Sequence, residues 1–197
     1  ALSKKSTADY TVIFVLAVHE TLGLRIPLEI IRGRFDSPQT ARHILNANKK
    51  YRPDLIHVEN NAYQGSIIQW IEDLQKTEEW KEKQWSIPNI MGYRTGSQKL
   101  DHYEGLPSMA SEFANSMWIV CNHKNPLIEG EGSCGGLNCF CVFLDELSSY
   151  PYGTHDDTVM AAFLAREAAR KDTGFFIGTT EQNQKYLEYL ASRTEKE

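Results

Sequence analysis

Arg52-Pro53-Asp54-Leu55-Ile56-His57-Val58-Glu59 is the stretch on which the fold turns. Pro53 stops any helix that precedes it, because it lacks an amide proton and its ring crowds the preceding turn. The short run that follows, Leu55 to Glu59, is largely apolar and ends on a carboxylate, which reads as a strand of a buried sheet. Upstream, Ser37-Pro38 supplies an N-cap and a first-turn proline, and Ala41, Ile44, Leu45 and Ala47 or Asn48 recur at helical spacing. Further upstream, Tyr10 to His19 and Arg25 to Arg32 are two β-branched, apolar runs joined through a glycine, so they predict a β-hairpin. Downstream of Gly65, the residues Ile67, Ile68, Ile71 and Leu74 mark a second amphipathic helix running into the charged segment Lys76 to Lys83, and Ser86 to Met91 reads as another strand. Hairpin, helix, strand, helix and strand in succession predict an α/β domain with parallel pairings beside an antiparallel part.

The remainder is patterned less strongly. Thr95 to Ala114 is polar and then helical around Pro107 to Phe113, Met117 to Cys121 reads as a strand, and the glycine-rich segment from Asn125 to Asn138 reads as a loop. Phe140 to Ser149 is predicted helical. A last helix is expected from near Thr154 to Arg170, with Val159, Met160, Phe163 and Leu164 apolar. With 197 residues and 41% hydrophobic content, the chain suits one sizeable core, placed here over residues 1–170, with residues 171–197 as a peripheral C-terminal tail.

Composition narrows the partners. A formal charge of −5 excludes attraction of polyanions by the whole surface, so a nucleic acid must be held by a local patch. Cys121, Cys134, Cys139 and Cys141 lack the paired Cys-x2-Cys spacing of a zinc ribbon, which leaves reduced thiols as the expectation. No apolar stretch approaches the roughly 18–20 residues that span a bilayer, and no signal peptide opens the sequence. A soluble, intracellular protein is expected.

Two places carry candidate chemistry. Glu59, followed by Asn60, Asn61 and Gln64, stands at the carboxyl edge of the predicted sheet, where ligands of open α/β folds bind; a solvated strand end is the plainer alternative. Gly153-Thr154-His155-Asp156-Asp157 places an acidic pair at the start of a helix. Helix capping and the macrodipole account for such a pair without any function. Acids gathered in one cleft repel one another, however, so convergence with Glu59 would imply a shared cation. Asp157 shares a helical face with Met160 and Leu164, Asp156 with Met160 and Phe163, and periodicity does not choose between them. His155 suits a phosphate or a ligand carboxylate, or equally a surface position beside a helix start. Arg94, and Lys99 within Thr95-Gly96-Ser97-Gln98-Lys99, are candidates for contacts to a phosphate backbone.

At these residues the chain resembles the nuclease domain of tailed-phage terminase large subunits. The blocks that carry the resemblance, in the family's order, are Asp9-Tyr10-Thr11-Val12-Ile13, Ile31-Arg32-Gly33-Arg34-Phe35, Pro53 to Gln64, Gly105-Leu106-Pro107-Ser108-Met109-Ala110 and Tyr150 to Asp157. The resemblance implies an RNase H-like, RuvC-like fold, with a mixed central sheet flanked by helices, and endonucleolytic cleavage of concatemeric double-stranded DNA. It implies a site of two magnesium or manganese ions about 4 Å apart that activate a water and stabilise the leaving oxygen. Glu59 matches the family's central-strand acid and Asp157 the acid at the start of the late helix, with Asp156 as a further or alternative ligand and His155 as a neighbour. By the same resemblance the partners are the packaging ATPase domain, the small terminase subunit and the portal, in the host cytoplasm.

The sequence departs from that pattern in two places, and it also lacks the motif of the packaging ATPase. Met160 stands where relatives often carry another acid. The family's first aspartate falls upstream of the segment resembling Ala1 to Asp9, which leaves Asp9 as the nearest substitute ligand. Gly-x4-Gly-Lys-Ser/Thr is absent, so no ATP site is expected in these residues. The alternatives are a DNA-binding or docking fragment that lacks the first-strand aspartate and another RNase H-like nuclease such as a junction resolvase.

Overall fold

A hairpin opens the described part of the chain, which in this computed structural model comprises residues 10–19, 21–59, 62–93, 105–120 and 140–173. The strands β1 (Thr11–His19) and β2 (Leu24–Gly33) pair antiparallel, Thr11 opposite Gly33 and His19 opposite Leu24. Then follow α1 (Ser37–Tyr51), β3 (Ile56–Glu59), α2 (Ala62–Leu74), α3 (Glu78–Lys83) and β4 (Ile90–Tyr93). The helices α4 (Leu106–Ala114), α5 (Phe140–Ser149) and α6 (Asp157–Thr173) complete the order. Strand β3 pairs with β4 in parallel, Ile56 opposite Ile90 and Glu59 opposite Tyr93. The α/β class with mixed pairing is therefore observed, and among the described residues the strands form two separate pairs, β1-β2 and β3-β4.

Side-chain alternation along β1 defines the layers, because successive residues of a strand point to opposite faces. Val12, Phe14 and Leu16 pack on a cluster that includes Met109 of α4, Phe143 of α5 and Val159 and Phe163 of α6. Ile13 packs on the other cluster, with Ala41, Ile44 and Leu45 of α1 and Ile67 and Ile71 of α2. Thus α1 and α2 cover one face and α4, α5 and α6 the other. The tilted ring contact of Phe35, just past β2, with His43 at 4.4 Å and the ion pair from Lys50 to Glu29 at 3.3 Å show α1 returning alongside β2. Strand β3 therefore runs with β2 and against β1. Despite its apolar sequence, β1 is only half-buried along almost its whole length, and among the described residues its one strand neighbour is β2.

Several boundaries differ from the sequence reading, each for a local reason. The N-cap of α1 is Asp36, not Ser37: Asp36 Oδ1 accepts from the Gln39 amide at 2.8 Å and Gln39 Oε1 accepts from the Asp36 amide at 3.1 Å, a reciprocal capping box. Helix α2 begins at Ala62 and contains Gly65; its buried face is Ile67, Ile71 and Leu74, while Ile68 is exposed. The helix does not run on through Lys83, because Thr77 caps a separate α3 through the Trp80 amide. Strand β4 starts at Ile90 rather than Ser86, since Pro88 cannot donate to a ladder and Asn48 holds the Ser86 carbonyl at 3.1 Å.

The strand expected over Met117 to Cys121 contracts to one bridge, Trp118 with Arg25. Arg25 donates to the Met117 carbonyl and accepts from the Ile119 amide, and the next donor along β2 would be Pro27, which has none. Helix α6 starts at Asp157 and extends to Thr173, past the limit of 170 set for the domain; residues 174–197 and the loop of 125–138 lie outside the described residues. Cys141, at the start of α5, is disulfide-bonded, so the expectation of four reduced thiols fails there because its sulfur is already in a covalent bond. The other three cysteines lie outside the described residues. Among the described residues no helix is long and apolar enough to cross a membrane.

Candidate functional site

A cleft of about 1100 Å³ separates the two strand pairs. Tyr10 to Val18 form one wall and Leu55 to Glu59 the other; α1 closes it on one face through Thr40, Ile44 and Ala47, and α6 on the opposite face through Met160, Ala161, Leu164 and Ala165. Glu59, Asp156 and Asp157 all line this cleft. The strand end and the helix start singled out in the sequence therefore open onto one space. Glu59 is the last residue of β3 and is exposed. By strand alternation it shares the face of His57, whose ring lies 5.1 Å from that of Tyr93.

The structure separates the two aspartates that periodicity leaves equivalent. Asp156 is exposed and its carbonyl accepts from the Met160 amide, opening the helix. The Asp157 side chain is only 16% exposed and turns inward, with Oδ2 3.9 Å from Arg32 Nη2 and 3.7 Å from His155 Nδ1. His155 is itself 43% exposed and meets the Tyr10 ring edge-on at 5.4 Å.

Arg32 is the hub of this end of the cleft. Its guanidinium lies 3.4 Å from the centroid of the Tyr10 ring, and its Nη2 is 3.2 Å from Glu146 Oε1. Arg34 approaches the same ring at 4.8 Å. The other oxygen of Glu146 accepts from the Thr158 amide at 2.7 Å and from the Thr158 hydroxyl, so α5 supplies the carboxylate that caps α6. Asp157 is thereby released to face Arg32. Burial, and after it the charge of Asp156, pushes the nearby Tyr150 hydroxyl upward in pKa.

Sequence reasoning passed over Arg32, Tyr10 and Glu146. Each left a signal: Arg32 and Arg34 have the two-residue spacing that shares a strand face, and Glu146 interrupts the apolar stripe of Phe140 and Phe143 as an acid that burial obliges to find partners. Asp9, Asn60, Asn61, Arg94 and Lys99 lie outside the described residues, as does the side chain of Gln64. Among the described residues no three His, Cys, Asp or Glu side chains form a group able to hold a metal ion. The donors that do line the cleft are hard carboxylate oxygens, suited to magnesium or manganese rather than to zinc.

Comparison with protein-family models, with curated proteins and with solved structures finds no match to this chain.

Proposed function

We propose that this chain is the metal-dependent endonuclease domain of a phage terminase large subunit, built on an RNase H-like sheet and cleaving concatemeric double-stranded DNA. The observation that carries this reading is the opening of Glu59, from the end of β3, and Asp157, from the start of α6, onto one cleft. Glu59 and Asp157 would hold magnesium or manganese, with Asp156 at the rim. When bound, the ion supplies an activated water and offsets charge on the phosphate. His155, which lies beside Asp157, would orient phosphate or water, and Arg94 and Lys99 are the proposed backbone contacts. The ATPase domain, the small subunit and the portal are the proposed partners, in a host cytoplasm.

Plasmid nicking in magnesium or manganese tests the assignment. Relaxation of supercoiled DNA is expected from the wild type and at least about 100-fold less from Glu59→Ala, in keeping with loss of a metal ligand. Unchanged nicking by that variant would remove Glu59 from the site and the nuclease reading with it.

The want of a three-ligand group among the described residues favours a second reading, in which these residues are a DNA-binding or docking module that does not assemble two metals alone. Manganese calorimetry separates the two. A competent centre takes up two ions, whereas the docking module takes up at most one, weakly.

A further inference from the structure

We infer that Glu146 is a positioning residue for the cleft: by holding Arg32 on its own carboxylate it keeps that guanidinium off Asp157, and so sets how tightly Asp157 takes a cation. The effect on the cation rests on Asp157 being a metal ligand, as proposed for the nuclease. The residue that exerts it belongs to α5 and is not among those lining the cleft.

Two carboxylates compete for one nitrogen. Arg32 Nη2 lies 3.2 Å from Glu146 Oε1 and 3.9 Å from Asp157 Oδ2, so less than an ångström separates pairing with one from pairing with the other. The side chains of Arg32, Glu146 and Asp157 are only 14%, 7% and 16% exposed, and water screens such charges little. Directed bonds do not fasten the guanidinium. Its Nε is buried without a hydrogen-bond partner among the described residues, and Glu146 Oε1 meets it as an ion pair with no hydrogen bond. Buried polar atoms left in this way are rare and call for a cause, which a second position of the guanidinium supplies.

The surroundings decide what can move. Glu146 cannot follow Arg32, because its other oxygen accepts from the Thr158 amide at 2.7 Å and from the Thr158 hydroxyl, and Thr158 is fully buried. The Tyr10 ring, 3.4 Å from the guanidinium carbon, covers one face of Arg32 and leaves it to slide in its own plane. Asp157 stands next to Thr158 in the first turn of α6 and opens on the cleft with Glu59. Without the Glu146 charge, the carboxylate left to Arg32 is therefore Asp157.

A guanidinium drawn onto Asp157 opposes any cation on the same oxygens, since like charges a few ångströms apart in a poorly solvated site repel strongly. With Glu146 ionised, Arg32 is held back and Asp157 keeps its charge for the ion. The bond that caps α6 thus also fixes the carboxylate that restrains Arg32. His155 Nδ1, 3.7 Å from the same Asp157 oxygen, is more exposed; it is unchanged in every variant below and cancels in the comparison.

Manganese calorimetry on the wild type, Glu146→Gln, Arg32→Met and the double variant tests this. Glu146→Gln keeps an acceptor for Thr158, yet it is expected to weaken binding at least about tenfold, as for groups that stand behind a metal ligand. In the Arg32→Met background the same change is expected to alter binding less than about twofold, because the group it acts through is gone. Unaltered affinity in Glu146→Gln overturns the proposal, as does a loss that persists in full without Arg32. Should Arg32→Met not fold, the double variant, which removes both charges together, is compared with Glu146→Gln. It should bind at least about tenfold more tightly, and equal affinity overturns the proposal. A second measurement needs no metal. In urea without divalent ions, Asp157→Asn is expected to lower the folding constant at least about tenfold more in Glu146→Gln protein than in the wild type, where Arg32 keeps its other partner. Equal losses overturn the proposal. A wild type that takes up no manganese removes Asp157 as a metal ligand, and the urea comparison then decides the placement of Arg32 alone.

Discussion

Successive residues of a helix point about 100° apart, and at the start of α6 that rotation divides two neighbouring acids between solvent and protein. Asp157 faces Arg32 and His155 while Asp156 is exposed, so their substitution should be unequal. In manganese titrations Asp157→Asn is expected to weaken binding at least about tenfold, a change of about 1.4 kcal/mol, and Asp156→Asn by less than about threefold. Glu146 holds this arrangement from behind, with one oxygen on Arg32 and the other on the first turn of α6. Glu146→Ala leaves a buried guanidinium and a helix amide with fewer partners, and urea denaturation should register a loss of about 2–4 kcal/mol. Glu146→Gln keeps an acceptor for the Thr158 amide but no charge for Arg32, and its stability should fall between the two.

At the scale of elements, the hairpin, α1 and α5 were legible because each carries a strong local pattern: β-branched runs around a glycine, a capped start with a proline, an apolar stripe of ten residues. Asp36→Ala tests the corrected cap of α1, and it should cost about 1 kcal/mol in thermal or urea unfolding. Ser37→Ala, by the same measurement, should cost little. What escaped the sequence was set by distant partners. Nothing near residue 118 announces that its ladder meets Pro27 and ends there. The acidic pair was visible as a candidate, but which member turns inward depends on Arg32 of β2 and Glu146 of α5, more than a hundred and about ten residues away along the chain. Glu112, Arg166 and Glu167 likewise sit on apolar helical faces and become explicable only once α4 and α6 meet.

Across the whole molecule, that meeting is an ionic one. Glu112 pairs with Arg25 of β2 at 2.9 Å and with Arg166 of α6 at 2.8 Å, and Glu167 joins Arg166 and Arg170 at 3.1 and 3.2 Å, all buried. Removing the shared carboxylate by Glu112→Ala leaves the buried guanidinium of Arg25 without an acidic partner and that of Arg166 with Glu167 and Ser108, and a loss of about 3–5 kcal/mol is expected in urea denaturation. A pH effect is expected from the opposite face. Burial holds His43 below its ordinary value of 6.5, so its neutral form is the one the fold favours. That contribution is complete above 6.5, where the unfolded histidine is also neutral, and is lost as pH falls through the lower folded value. His43→Phe, which keeps a ring beside Phe35, should flatten this part of a melting-temperature profile. Arg32 carries a last consequence. Its permanent positive charge already faces Asp157 and Glu146, so the carboxylates at the mouth of the cleft come with a built-in counterion. Folding then does not wait on a cation, and prolonged treatment with a chelator should leave the melting temperature within about 1 °C of its untreated value, unlike domains whose metal is their core.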